Sequence, residues 1–183
     1  MIRAICLIWG ATAIAACASA EAPSSVTPTI AENQQEDRDV DMLNSIASVV
    51  IDSASLQREA AETAESADLR QGLYSFAAQL DELAEEFQKE IARRGGVPTE
   101  SGQALGLGHR IFADIRSVFA DDDKVASREV VRAQRYLVEE MQNAQNDPDA
   151  SASARSFVQA RVAEVKKIRD EAEVLARANG ADV

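Results

Sequence analysis

Between Gly95 and Arg116 the chain reads GGVPTESGQALGLGHRIFADIR, and this stretch constrains the fold more than any other. It holds five of the eight glycines, one of the four prolines and the only histidine, His109. Glycine pairs and proline stop helices, because glycine frees the backbone and proline removes an N–H donor. On either side lie two long segments whose apolar residues recur at helical spacing. A connection of this length between two such pairs predicts a crossover joining two helical hairpins.

The four segments can be read from their stripes. The first runs from about Val40 to Ala64, with Leu43, Ile46, Ala47, Val50, Ala54 and Ala61 on one face. A break at Ser66 and Asp68, either of which suits an N-cap, leads into the second. Its seam is the clearest in the chain: Leu69, Leu73, Phe76, Leu80, Leu83, Phe87 and Ile91. Gly95 and Gly96 end it, and Pro98 forbids its continuation. Within the crossover a shorter helix is expected from about Gly102 to Phe119, with Leu105, Ile111, Phe112, Ile115 and Val118 inward. The acidic run Asp121-Asp122-Asp123 suits the positive end of a third helix, which carries Val130, Val131, Leu137, Val138 and Met141. Asp147-Pro148 reads as the start of a fourth, carrying Phe157, Val158, Val165, Ile168, Ala172 and Leu175. The expected fold is all-α, a four-helix bundle. Aromatics at only 4% beside 46% apolar residues agree with small-residue packing between helices.

Ahead of the bundle, Arg3 precedes an uncharged, mostly apolar run from Ala4 to Ala16, too short to span a bilayer but suited to a secretory signal. Two cleavage sites compete. Ile14-Ala15-Ala16-Cys17 resembles a bacterial lipobox, which implies lipidation of Cys17; Ala18-Ser19-Ala20 offers ordinary cleavage before Glu21. The lipobox is preferred, since the cysteine follows the apolar run directly. Ala18 is not the aspartate that retains some lipoproteins in the inner membrane, so the outer membrane is favoured. Residues 18–39, with Pro23, Pro28 and many Ser, Thr, Gln and Glu, show no sustained periodicity and are expected to form a disordered tether. The expected organisation is a signal peptide over 1–16, lipidated cysteine and tether over 17–39, and bundle over 40–180. Without Cys6, only Cys17 remains, and no disulfide can form within one chain. A net charge of −12 repels phosphate backbones and disfavours nucleic-acid binding.

The pattern resembles a bacterial family of ferritin-like four-helix-bundle domains of unknown function. The resemblance rests on Leu43, Asp52 and Ala60-Ala61-Glu62, then Glu86, Gly95-Gly96-x-Pro98, Gly102, Gly106 and His109-Arg110. Ala163-Glu164-Val165-Lys166 completes it, so that it spans about residues 40–178. It implies a fold and no activity.

Ferritin-like di-metal sites take glutamates from all four helices, two of them in Glu-x-x-His pairs. Here Glu86 is followed at the third position by Lys89 and Glu164 by Lys167, and the four helices contain no histidine. The resemblance places glutamate where Gln134 stands, histidine where Arg169 stands, and a neutral residue where Arg161 stands. An amide for a carboxylate and two fixed positive charges disfavour a bound dication. The sequence therefore predicts a degenerate metal site: a polar cluster of Glu86, Glu90, Gln134, Arg161, Glu164 and Arg169, in which Arg161 or Arg169 pairs with Glu86 or Glu90 inside the bundle. The bland reading has these long side chains reaching solvent along a helix boundary. Asp52 and Glu62 fall off the main stripe of the first helix and are expected to be solvated. His109 and Arg110 are expected to hold the crossover.

These readings point to an envelope lipoprotein, anchored on the periplasmic side, with a non-catalytic binding, structural or stress-related role, no cofactor and an unidentified protein partner or a second copy of itself. One alternative is a metal-binding or redox protein holding di-iron or another divalent metal with Glu62, Glu86, Glu90 and Glu164. Another is a small-ligand carrier whose pocket between the hairpins is lined by Ala47, Ala54, Ala61 and Ala172.

Overall fold

The computed structural model describes residues 30–102 and 122–183. Four helices make up most of them: α1 Ile30–Thr63, α2 Ala67–Arg93, α3 Asp123–Gln145 and α4 Ala152–Ala178. No strand occurs among the described residues. Helix α1 packs on α2 and α3 packs on α4, forming two hairpins, while α1 also packs on α3 and α2 on α4. The protein is an all-α four-helix bundle. No described helix is long and apolar enough to cross a membrane.

Contacts at the two ends fix the helix directions. At one end the Asp123 carboxylate, opening α3, accepts the backbone N–H groups of Glu65 at 2.8 Å and Ser66 at 2.7 Å in the α1–α2 turn. At the other end Asp39 of α1 meets Arg94, just past α2, and Ser151, just before α4. Helices α2 and α3 thus start at the same end and run parallel, each antiparallel to its hairpin partner. Helix α2 alone is about 40 Å long at 1.5 Å per residue. Arg94 and Asp122 therefore lie at opposite ends of the bundle.

Local chemistry sets the helix ends. Ser66 caps α2 by accepting the Leu69 N–H at 3.2 Å, Asp122 caps α3 by accepting from Lys124 at 2.8 Å, and Ser151 caps α4 by accepting from Ala154 at 3.1 Å. Helix α2 closes with Gly95 at φ +80°, the left-handed conformation that glycine adopts without strain. There Gly96 N–H reaches Ile91 C=O and Gly95 N–H reaches Ala92 C=O, each at 3.0 Å.

Two boundaries differ from the sequence expectation. Helix α1 starts at Ile30 rather than near Val40, so residues 30–39 are helix and not tether. Its early turns have anchors that periodicity does not register, with Gln35 Nε2 donating to Asp149 C=O at 2.8 Å and Asp39 buried. Helix α4 starts at Ala152 rather than at Asp147-Pro148, because Asp147 instead accepts the Asp149 N–H at 2.8 Å and closes a turn. The short crossover helix expected over 102–119, and Cys17, lie outside the described residues.

The seven-residue seam of α2 is buried throughout. Burying a large aliphatic or aromatic side chain stabilises by roughly 1.5–3 kcal/mol, so this seam contributes heavily to the core of the bundle. Helix α1 is buried on more than its inward stripe, for Ser48 and Asp52 are also covered. The chain leaving α2 supplies part of that cover. Asn44 Nδ2 donates to Val97 C=O at 3.1 Å, Thr99 N–H donates to Asn44 Oδ1 at 2.8 Å, and Gly102 lies against Asp52 so closely that a Cβ would collide.

Candidate functional site

The densest polar constellation closes the end of the bundle where α1 begins. Asp39 is completely buried. Its Oδ1 accepts from Gln35 Nε2 at 3.1 Å and from the Ser151 N–H at 2.8 Å. Its Oδ2 accepts from Arg94 Nη1 at 2.7 Å and from the Ser151 hydroxyl. The Arg94 side chain, only 2% exposed, also donates from Nε to Glu90 at 2.8 Å and from Nη2 to Ser153 Oγ at 3.0 Å. Glu90 in turn receives the fork of Arg93 at 2.7 and 2.6 Å. Burial alone would raise the Asp39 pKa, but the hydrogen bonds from Ser151 and Gln35 and the Arg94 charge outweigh it and leave it lowered. Glu90 is lowered chiefly by its bonds from Arg93, against burial and with help from Arg94. This is a satisfied ionic clamp across α1, α2 and α4, and its charges are directed at one another.

Beside the clamp a groove of about 630 Å³ opens between the early turns of α1 and the last turns of α3. Met42, Ile46, Ala144 and Ala150 form an apolar floor. Its rim carries four carboxylates, Asp41, Glu140, Asp147 and Asp149, against one basic group, Arg38. The Glu140 pKa is raised first by burial and next by the neighbouring Glu139 charge, with a Tyr136 hydrogen bond opposing. A negative rim around an apolar floor suits a ligand that is cationic and amphipathic.

The polar cluster expected from sequence is only partly assembled. Glu86, Glu90 and Arg161 line one shallow depression of about 250 Å³ at the α2–α4 edge. There Arg161 Nε donates to Glu86 at 2.6 Å and its guanidinium lies 3.5 Å from the Phe157 ring centroid, with Phe157 edge-on to Phe87 at 5.3 Å. The Arg161–Glu86 pair lies at the surface rather than inside the bundle, since the Glu86 side chain is 49% exposed. Arg169 bonds to its neighbour Asp170 at 2.9 Å and Glu164 is exposed, so neither joins the depression. Glu62 is exposed as well. Glu62, Glu86, Glu90 and Glu164 do not converge: among the described residues no three His, Cys, Asp or Glu side chains gather to hold a metal ion. These four glutamates, placed apart as they are, do not form a di-metal centre. His109 and Arg110 lie outside the described residues.

Asp52, expected to be solvated, is 5% exposed, because the chain leaving α2 lies on that side of α1. Gln134 is fully buried in the α3 stripe, and neither of its amide atoms has a hydrogen-bond partner. Gln57 of α1 is equally buried and equally unpartnered, with Ser53 Oγ one turn before it. Sequence reasoning missed Gln57, although its place three residues after Ala54 and four before Ala61 puts it on the inward stripe. Asp39, Arg94 and Ser151 were missed too. Ala47, Ala54, Ala61 and Ala172, suggested as a pocket lining, belong to the packed core.

Residues 38–147 match the family described as a domain of unknown function, DUF2383. The match begins next to Asp39 and covers α2, α3 and most of α1, ending before α4. No curated protein matches the chain.

Proposed function

Since the chain belongs to the DUF2383 family of domains of unknown function, we propose its role from the geometry: a non-catalytic binding module, held at the bacterial cell envelope by a lipid on Cys17 and taking a cationic, amphipathic partner segment. The groove carries this reading, with its apolar floor of Met42, Ile46, Ala144 and Ala150 inside a rim of four carboxylates. The adjoining clamp supports it. Asp39, Glu90 and Arg94 use their hydrogen bonds to fix α1, α2 and the start of α4, and a fixed wall lowers the entropic cost of binding. Two hairpins with α2 and α3 parallel is the plan of ferritin-like proteins, and we read the fold as a member of that class whose metal site has been lost. A neutral Gln134 at the core of α3 supports that part of the reading. Ferritin-like folds host many unrelated functions, so the groove and not the fold carries the proposed role.

Calorimetric titration of the protein with a synthetic Lys/Leu amphipathic peptide, and with its Glu/Leu counterpart, tests the binding. The cationic peptide is expected to bind, to bind more weakly as salt rises, and to lose affinity on Ser45→Arg, which places a positive charge in the groove. Equal binding of both peptides would overturn the reading. Cys17→Ser is expected to move the protein from the membrane fraction to the soluble one; retention in the membrane would remove the anchor from the proposal.

A further inference from the structure

At the middle of the bundle three polar side chains point where apolar ones are expected. Gln57 is 1% exposed, Gln134 and Ser53 are fully buried, and neither amide nor the Ser53 hydroxyl has a hydrogen-bond partner. Leaving such groups unbonded in a helical core is unfavourable enough that native proteins almost always satisfy them, with protein atoms or with a bound molecule.

Geometry places them together. Helices α1 and α3 pack against each other and run antiparallel, and Asp123 and Glu65 mark a common level because they are hydrogen-bonded. Measured from that level at 1.5 Å per residue, Gln134 lies about 16 Å along α3, while Gln57 and Ser53 lie about 12 Å and about 18 Å along α1. Ser53 and Gln57, four residues apart, share a face of α1. Gln57 shares the inward stripe with Ala54 and Ala61, and Gln134 shares its own with Val130, Leu137 and Met141, all buried. The three thus fall within about 6 Å of one another along the bundle axis, on two helices that pack together across the hairpins.

Charge decides what they bind. Asp52 lies on another face of α1, against Gly102, and Glu129 is engaged by Arg128 at 3.4 Å and Arg132 at 3.5 Å. A cation or anion beside two neutral amides and a hydroxyl would be buried without a countercharge. We propose that Ser53, Gln57 and Gln134 form an internal site for a neutral hydrogen-bonding occupant, ordered water or a small uncharged polar molecule, that links the first hairpin to the second. Each amide offers both donors and an acceptor, so one occupant bridges Gln57 and Gln134 and couples α1 to α3.

A double-mutant cycle on the full chain with Gln57→Leu and Gln134→Leu reads the coupling, and NMR of the labelled protein reads the occupant. Each single change is expected to lower the melting temperature by roughly 2–4 °C, because it strips the occupant of one partner and leaves the other amide unbonded. The double change is expected to recover part of that loss rather than add to it. Side-chain amide protons of both glutamines are expected to show cross-peaks to long-lived water. A neutral molecule released on denaturation and identified by mass spectrometry would support the site equally and assign its organic source. Additive losses, a rise in melting temperature for either single variant, or a direct Gln57–Gln134 hydrogen bond would each overturn it.

Discussion

Asp39 shows how one side chain can hold an architecture that local pattern does not announce. Its carboxylate joins α1 to Arg94 and to the cap of α4, and with Arg94 only 2% exposed the pair cannot fall back on solvent. Removing one partner of a buried ion pair costs about 3–5 kcal/mol, and because Glu90 still faces Arg94, Asp39→Asn is expected at the lower end of that range in urea denaturation at pH 7. The pH dependence follows in sign. Asp39 and Glu90 are lowered from ordinary values of 3.8 and 4.5, so the stability they contribute is present above those values and lost as pH falls through their folded ones. Unfolding midpoints are expected to fall as pH drops below about 4, and Asp39→Asn should flatten that slope. Glu140 has the opposite sign: burial raises its pKa, so its ionisation with rising pH works against folding. Glu140→Gln is expected to raise the melting temperature slightly at pH 7 while weakening the cationic peptide. At this scale the sequence was only partly readable. The Arg161–Glu86 pair is present but at the edge, and Asp39 escaped notice because its partners lie 55 and 112 residues away in a stretch without apolar periodicity.

Among the elements, α2, with its unbroken seam, was the most legible and α1 the least. A helix covered on several sides, with Leu43 and Val50 inward and Ser48 and Asp52 also buried, does not show a single polar face. The same cover explains why Asp52 looked like a surface residue. Turn chemistry was readable in outline where polar residues directly precede a helix, Ser66 being one of two caps offered and Asp122 part of an acidic run, and misleading at Asp147-Pro148, where a turn intervenes before Ser151. Asp123 adds a role beyond helix α3, since it accepts two backbone N–H groups from the α1–α2 turn. Asp123→Ala is expected to lower stability by about 1–2 kcal/mol in chemical denaturation and to speed amide exchange at Glu65 and Ser66.

At the scale of the whole molecule, the two hairpins and their long connection were legible because glycines and a proline cluster between two pairs of apolar stripes. The groove was not, because it is built from residues 38–46 and 140–150, which only the packing of α1 on α3 brings together. The unpartnered amides at the same interface escaped for the same reason. On the reading proposed here the bundle binds a cationic partner at its clamped end. Hydrogen–deuterium exchange of the protein with and without the Lys/Leu peptide tests it most directly. Added protection is expected over 38–46 and 140–150 and nowhere along the outer face of α4 around Lys166 to Val174. Protection centred on that face, or none anywhere at saturating peptide, would rule out binding in the groove.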